Sequence, residues 1–342
     1  MSAPAEPRQR EDRALPVLPA PRGDLSRAVI TLLSGREAAL PAEAAWERAD
    51  PYGDDLHLAL YVLYELHYRS FAGVADTLEW DPALLGVRAA AERVFLRALR
   101  EDAGAGSTDV ATALDGLLAE PVPREGTGVS HHLERDGELW QLREYAAVRS
   151  LYHLKEADPH LWVVPRLRGR AKAAMVAVEY DEFGAGRADR VHARLFAELM
   201  ADLGLSPAYG RYLDAAPAPA LAVVNMMSML GLHRRWRGAL VGHFAAVEIT
   251  SSPGSRRLAA AMRRTGAGPA AQRFYDEHVE ADAVHEQVVR REVIGGLLAD
   301  EPHLAGDVVF GIEVTEHLEQ RLADRLLPRW RAGRSALRGP DG

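Results

Sequence analysis

Residues 274–287, FYDEHVEADAVHEQ, set His278, Asp282 and His285 four and then three residues apart. A helix turns about 100° per residue, so these three side chains fall on one narrow face. Phe274 and Val289 share that face, so the stripe reads as buried. Buried imidazoles and carboxylates need partners, and a metal ion would serve all three. The competing reading is a solvated acidic helix, because Asp276, Glu277, Glu280 and Glu286 lie in the same stretch. The pattern is not the HExxH signature of zinc proteases.

A carboxylate on a second apolar face comes from RGALVGHFAAVEITSS. There Glu248 follows Phe244 and Val241 at one and two helical turns, with Leu240 beside them. Such a glutamate points into a core, where carboxylates are rare unless paired or protonated. Pro253 and Gly254 keep a second reading open, in which Glu248 sits at a helix end near water. A third source is VAVEYDEFGAGRADRVHARLF. Glu179 and Glu182 are three apart, and His192 opens the next apolar-periodic segment. Gly184 and Gly186 between them suit a bend that brings Glu182 and His192 towards one centre. The GAG run follows a helical pattern and lacks GxxxxGK, so it reads as a turn, not a phosphate loop.

Glu182, His192, Glu248, His278, Asp282 and His285 supply three carboxylates and three imidazoles. Such a set can hold two divalent ions with one carboxylate bridging. Carboxylate oxygens stabilise oxidised iron, and imidazole keeps affinity for Fe(II). Inward-facing Glu and His on helices are one established way to build a dimetal carboxylate site. The chain has no cysteine, which excludes disulfides, thiolate nucleophiles, iron–sulfur ligation and cysteine–zinc sites.

The elements that position these residues read as helices. Leu58, Leu60, Leu63 and Leu66 mark one, and RAAAERVFLRALRE, VATALDGLLAE and LWQLREYAAVRSLYHLKEAD mark others, the last stopping before Pro159. More follow in RAKAAMVAVEYDEF, VHARLFAELMADLG, ALAVVNMMSMLG, around His278, and in GIEVTEHLEQRLADRLLPRW. Little reads as strand, and the run WVVP is a short strand or an extended connection. With 48% hydrophobic and 26% charged residues in 342, there is ample core for one large domain or two modest ones. The expected organisation is a flexible tail over 1–25, accessory helices over 26–130 and the metal-binding domain over 131–335. The last two are also compatible with one continuous unit. A net charge of −8 disfavours a general nucleic-acid binder. The tail has no signal-type apolar core, and APAPALAVVNMMSMLGL is too interrupted to span a membrane. A cytoplasmic protein is expected.

With these residues assembled, the chain resembles the iron-containing redox enzymes of the haem-oxygenase-like diiron oxidase and oxygenase superfamily. The resemblance covers most of residues 55–335. It is strongest in KEADPHLW, EYDEFGAGRADRVHARLF, GLHRRWRGALVGHFAAVEITSS and FYDEHVEADAVHEQ. It implies an all-α, haem-oxygenase-like helical bundle with added N-terminal helices and no haem. It also implies two Fe(II) ions that meet dioxygen as cosubstrate, with the six residues above as ligands and HxxxDxxH supplying the last three. The nitrogen-oxygenating branch uses a further upstream glutamate, and Glu156 stands at that place. Its alternative role is helix-end packing or a surface ion pair.

The resemblance implies oxidation of a small organic substrate. One form is nitrogen oxygenation of an amine or guanidine, and the other is oxidative C–C fragmentation of an aliphatic acid or amino acid. An external electron donor and a homodimer are compatible with it. Competing readings are a manganese dimetal oxidoreductase, an iron-binding or storage protein, and a helical interaction protein. Arg234, Arg235 and Arg237 read as local ion pairs or as a recognition site for a substrate carboxylate. Glu65 and His67, two apart, lie outside the metal set and would at most line an entrance. His317, one turn after Glu313, reads as a surface or packing residue.

Overall fold

The computed structural model describes residues 15–103, 107–119 and 127–339, apart from the side chains of 280–283. All regular elements among them are helical, and none is a strand. The N-terminal part comprises α1 (Asp24–Leu33), α2 (Glu43–Glu47), α3 (Asp54–Glu65), α4 (Pro82–Asp102) and α5 (Val110–Leu118). Then come α6 (Val129–Arg135), α7 (Leu139–His153), the short α8 (Asp158–Leu161), α9 (Gly169–Glu182), α10 (His192–Asp202) and α11 (Ala218–Leu232). The C-terminal part holds α12 (Arg237–Thr265), α13 (Pro269–Val288), a π-helical turn (Val289–Ile294), α14 (Gly295–Asp300) and α15 (Ala305–Arg331). This is an all-α, haem-oxygenase-like bundle with extra N-terminal helices.

Three details differ from the sequence reading. The WVVP run is helical: Val163 is in the right-handed region and Val164–Arg166 forms a 3-10 turn. No neighbouring strand exists among the described residues to pair with it. Helix α7 ends at His153, short of the expected stop before Pro159. Helix α12 runs through Pro253 to Thr265. One proline removes a single intrahelical hydrogen bond, which packing on both flanks can offset.

The core is formed where α12 packs against α13 and α15, and α10 against α13. The α12–α15 crossing is unusually close. A Cβ on Gly242 would lie 1.9 Å from the Val308 carbonyl oxygen, and one on Gly311 1.9 Å from that of Ala239. The two backbones therefore touch through reciprocal glycines. Helix α3 lies on α1 and α11, and apolar residues from Leu25 to Ala336 form one cluster. Of the tail expected over 1–25, residues 1–14 lie outside the described residues. Leu18 packs against the core, and the Ala72 N–H donates to the Pro16 carbonyl at 2.8 Å. Part of the expected boundary near 123–137 also lies outside the described residues.

A buried ion pair ties the N-terminal helices to the rest. Lys155 Nζ lies 2.8 Å from Glu65 Oε2, with both side chains 1% exposed. Tyr209 donates its hydroxyl to Glu65 Oε1 at 2.6 Å. Glu65 thus serves packing rather than an entrance. His67 contacts Glu79 and Arg88.

Two predictions follow from this packing. Gly311→Ala should lower unfolding stability by about 1–3 kcal/mol in urea titrations, because the added methyl meets backbone. Burial lowers the pKa of His57 to about 3 and of His160 to about 4. Both values lie below the unfolded value near 6.5, so the native state holds fewer protons. Their stabilising contribution is complete above about pH 6.5 and is lost as pH falls towards those values. Denaturant unfolding across this range should show that loss, with a shallower fall in His57→Gln.

Candidate metal centre

Helix α9 ends at Glu182, and the chain then turns through Gly184–Gly186. Gly184 has φ +68°, and a Cβ there would sit 2.6 Å from the Arg190 carbonyl carbon. Only glycine fits this return. It carries His192, the first residue of α10, back to Glu182, so that His192 Nδ1 lies 2.6 Å from Glu182 Oε2. That nitrogen has no hydrogen bond of normal geometry, despite its burial. Two atoms so close without a proper hydrogen bond are what a shared cation would reconcile.

Helix α13 supplies the opposite wall. Its start is fixed by Asp202 at the end of α10, whose Oδ2 accepts from the Ala270 and Ala271 N–H groups at 2.6 and 3.1 Å. The carboxylate caps otherwise unpaired donors at the positive helix end. One turn in, Phe274 packs edge-to-face on Phe196 at 5.1 Å. The next turn brings His278, whose Nδ1 lies 2.8 Å from the Phe274 carbonyl oxygen. A carbonyl only accepts, so Nδ1 carries the proton and Nε2 presents its lone pair. His278 Nε2 is buried without a hydrogen-bond partner. A metal-ligating imidazole has this arrangement, with its second nitrogen held by an oxygen.

Glu156, between α7 and α8, completes this side. His153 Nδ1 lies 2.9 Å from Glu156 Oε2. Burial alone would raise the Glu156 pKa. Attraction and hydrogen bonding by His153, with help from His278 and His192, outweigh it and hold the carboxyl well below its usual range. Glu156, Glu182, His192 and His278 each offer a donor atom, all within 4.8 Å of one another, and all four are buried.

A second group joins it through Glu182. Glu182, Glu248 and His285 also place donor atoms within 4.8 Å of one another. His285 Nδ1 lies 3.1 Å from Glu248 Oε2 and 3.8 Å from Glu182 Oε1. Glu182 therefore directs Oε2 towards the first group and Oε1 towards the second. The other ring nitrogen, His285 Nε2, lies 3.2 Å from Asp181 Oδ2. Glu248 is only 5% exposed, well inside α12, so the helix-end reading of this residue does not hold. The Asp282 side chain lies outside the described residues, although its backbone is in α13 between the two histidines.

Of the residues singled out from sequence, five meet here together with Glu156. Asp181 was not among them. It neighbours Glu182, but its side chain is 55% exposed, and periodicity gives no reason to select it. Neither did spacing alone indicate His153 as the partner of Glu156. Glu179, on the Glu182 face of α9, is 2% exposed with neither carboxylate oxygen hydrogen-bonded. Burial, and after it Glu182 and Glu248, raise its pKa well above the usual carboxylate range. Arg237 pairs with Glu301, and the Arg235 guanidinium lies 4.4 Å from the centre of the Trp236 ring. These are local contacts.

The donor chemistry fits iron: carboxylates and imidazoles, no thiolate, and a carboxylate placed between two groups. A family model described as iron-containing redox enzyme matches residues 143–320, just over half of the chain. The chain belongs to this family. The matched segment contains all seven donor candidates, from Glu156 to His285. A comparison with curated proteins finds no match. Family membership and the two His/Glu groups support a diiron redox enzyme. Among the described residues, no helix is long and apolar enough to cross a membrane.

Metal titration of variants tests the shared carboxylate. Glu248→Gln should lose one of two Fe(II) equivalents in anaerobic chelator competition, whereas Glu182→Gln should weaken both. Asp181→Asn should weaken the ion at His285 by roughly 10- to 100-fold, as loss of an outer hydrogen bond to a ligating histidine does.

Proposed function

We propose that the chain is a dioxygen-dependent non-haem diiron oxygenase acting on the nitrogen of a small amine or guanidine. The observation that carries this reading is the four-member group in which Glu156 stands beside Glu182, His192 and His278. A glutamate at the Glu156 place is what the resemblance associates with nitrogen oxygenation. One ion is assigned to Glu156, Glu182, His192 and His278. The other is assigned to Glu182, Glu248 and His285, and Asp282 stays a ligand of the centre only as the resemblance implies.

Bound iron supplies reversible redox chemistry with dioxygen. The protein's own residues provide geometry and charge balance. Glu182 links the two positions through its two oxygens. The Phe274 carbonyl keeps His278 in the tautomer whose Nε2 is free to bind. His153 holds Glu156 in its ionised form, and Asp181 orients His285. Phe196 and Phe274 form a dry wall beside the first group, which strengthens the electrostatic interactions inside it. The helices before residue 131 are assigned an accessory structural role, supported by the common apolar cluster.

The deciding assay mixes anaerobic, Fe(II)-loaded protein with labelled dioxygen in the presence of small amines and guanidines. Oxygen uptake with a labelled oxygen on product nitrogen is expected. Iron accumulation beyond two per chain with no organic product would point to storage instead. Carbon-chain cleavage would replace nitrogen oxygenation with the fragmentation reaction.

A further inference from the structure

Six glutamates are buried among the described residues: Glu65, Glu92, Glu156, Glu179, Glu182 and Glu248. Five of them face a basic side chain. Glu65 meets Lys155, Glu92 meets Arg88 and His233, Glu156 meets His153, Glu182 meets His192, and Glu248 meets His285. Glu179 faces none, and neither of its oxygens has a hydrogen-bond partner. An isolated carboxylate so placed is strongly disfavoured unless a proton or an opposite charge neutralises it.

The two ions assigned above do not serve Glu179. It belongs to neither donor group. Yet it lies in the electrostatic field of three residues that do, namely Glu182, Glu248 and Glu156. It also shares the inner face of α9 with Glu182, one turn away. Once two metals offset the other carboxylates, Glu179 is, among the described residues, the buried carboxyl beside the centre with no basic partner, and a cation that reached it would displace the proton that burial keeps on it.

We propose that Glu179 is the subsite for the cationic nitrogen group of the substrate, an alkylguanidinium ion by preference. This rests on the dimetal reading and adds to it the group that recognises the substrate. Both carboxylate oxygens lack partners, and a guanidinium presents two parallel N–H donors to such a pair. A water-poor setting strengthens that contact, whereas a neutral substitute leaves the carboxyl protonated and forms no charge-assisted pair. An aliphatic acid would bring a further carboxylate to a place where burial and the neighbouring carboxylates already oppose negative charge. Glu179 therefore selects for nitrogen bases over chain acids.

The test uses the full chain loaded anaerobically with Fe(II) and titrated by calorimetry with butylguanidinium, its neutral isostere butylurea, and pentanoate. The wild-type protein should favour butylguanidinium over butylurea by roughly 10- to 100-fold, the range of a hydrogen bond to a charged group. Pentanoate should bind most weakly. Glu179→Gln should bind the first two about equally while still holding two irons per chain. Glu179→Asp, which keeps the carboxyl group, should retain a preference for the cation. The proposal is overturned if the wild type shows no preference, or if Glu179→Gln keeps it. Loss of an iron from Glu179→Gln also overturns it, because Glu179 is then a metal ligand. Equal binding of the two probes by a folded aspartate variant does so as well. Failure of the wild-type chain to take up iron would count against the dimetal reading instead. The glutamine comparison on metal-free protein would then decide the role of Glu179 alone.

Discussion

Negative charge withdrawn from water is the constraint around which this molecule is arranged. Glu156, Glu182 and Glu248 are buried within a few ångströms of imidazoles. Separating such groups from water is costly, and it becomes tolerable only when opposite charge or hydrogen bonds arrive at fixed places. That requirement explains the local devices that surround them. A glycine turn returns His192 to Glu182. A carbonyl one turn back sets the His278 tautomer. An aspartate at the protein surface reaches the outer nitrogen of His285.

The same logic extends to the N-terminal helices. Lys155 immediately precedes Glu156, yet its ammonium turns to Glu65 on α3 and lies over the Tyr68 ring at 4.2 Å. The lysine is thus kept from Glu156, which pairs with His153 instead. Two adjacent residues of opposite charge are assigned to different layers. One fastens the accessory helices, and the other joins the donor group. Helices α1, α3 and α11 thereby take part in holding the segment that carries Glu156.

Much of the site was legible because helical spacing is a geometric property of sequence. His278 and His285 share a face whatever else the chain does, and Glu248 follows Phe244 at one turn. The pairing of Glu182 with His192 was legible through the glycines that separate them. What escaped was of another kind. Asp181 acts from an exposed position, where periodicity carries no information. The partner of Glu156 depends on how α7 ends, and helix ends are poorly marked by propensity alone. Pro253 looked like a terminator, but α12 is packed against α13 and α15, and tertiary contacts outweigh one missing hydrogen bond. The strand-like character of WVVP faded for a related reason: β-branched residues need a partner strand to express it.

The π turn at Val289–Ile294 has a consequence for how this chain can vary in length. It separates the histidine-bearing part of the long helix from Gly296, whose missing side chain allows contact with the Ala171 backbone on α9. A π turn accommodates about one more residue than an α turn over the same rise. The two ends of the segment are therefore held out of ordinary α-helical phase. Removing one residue would restore that phase and swing one end by about 100° relative to the other. Either the imidazoles or the glycine contact with α9 would then face the wrong way. Length is fixed in this segment by angle rather than by distance, so insertions and deletions belong in the connecting loops, where no such phase has to be kept.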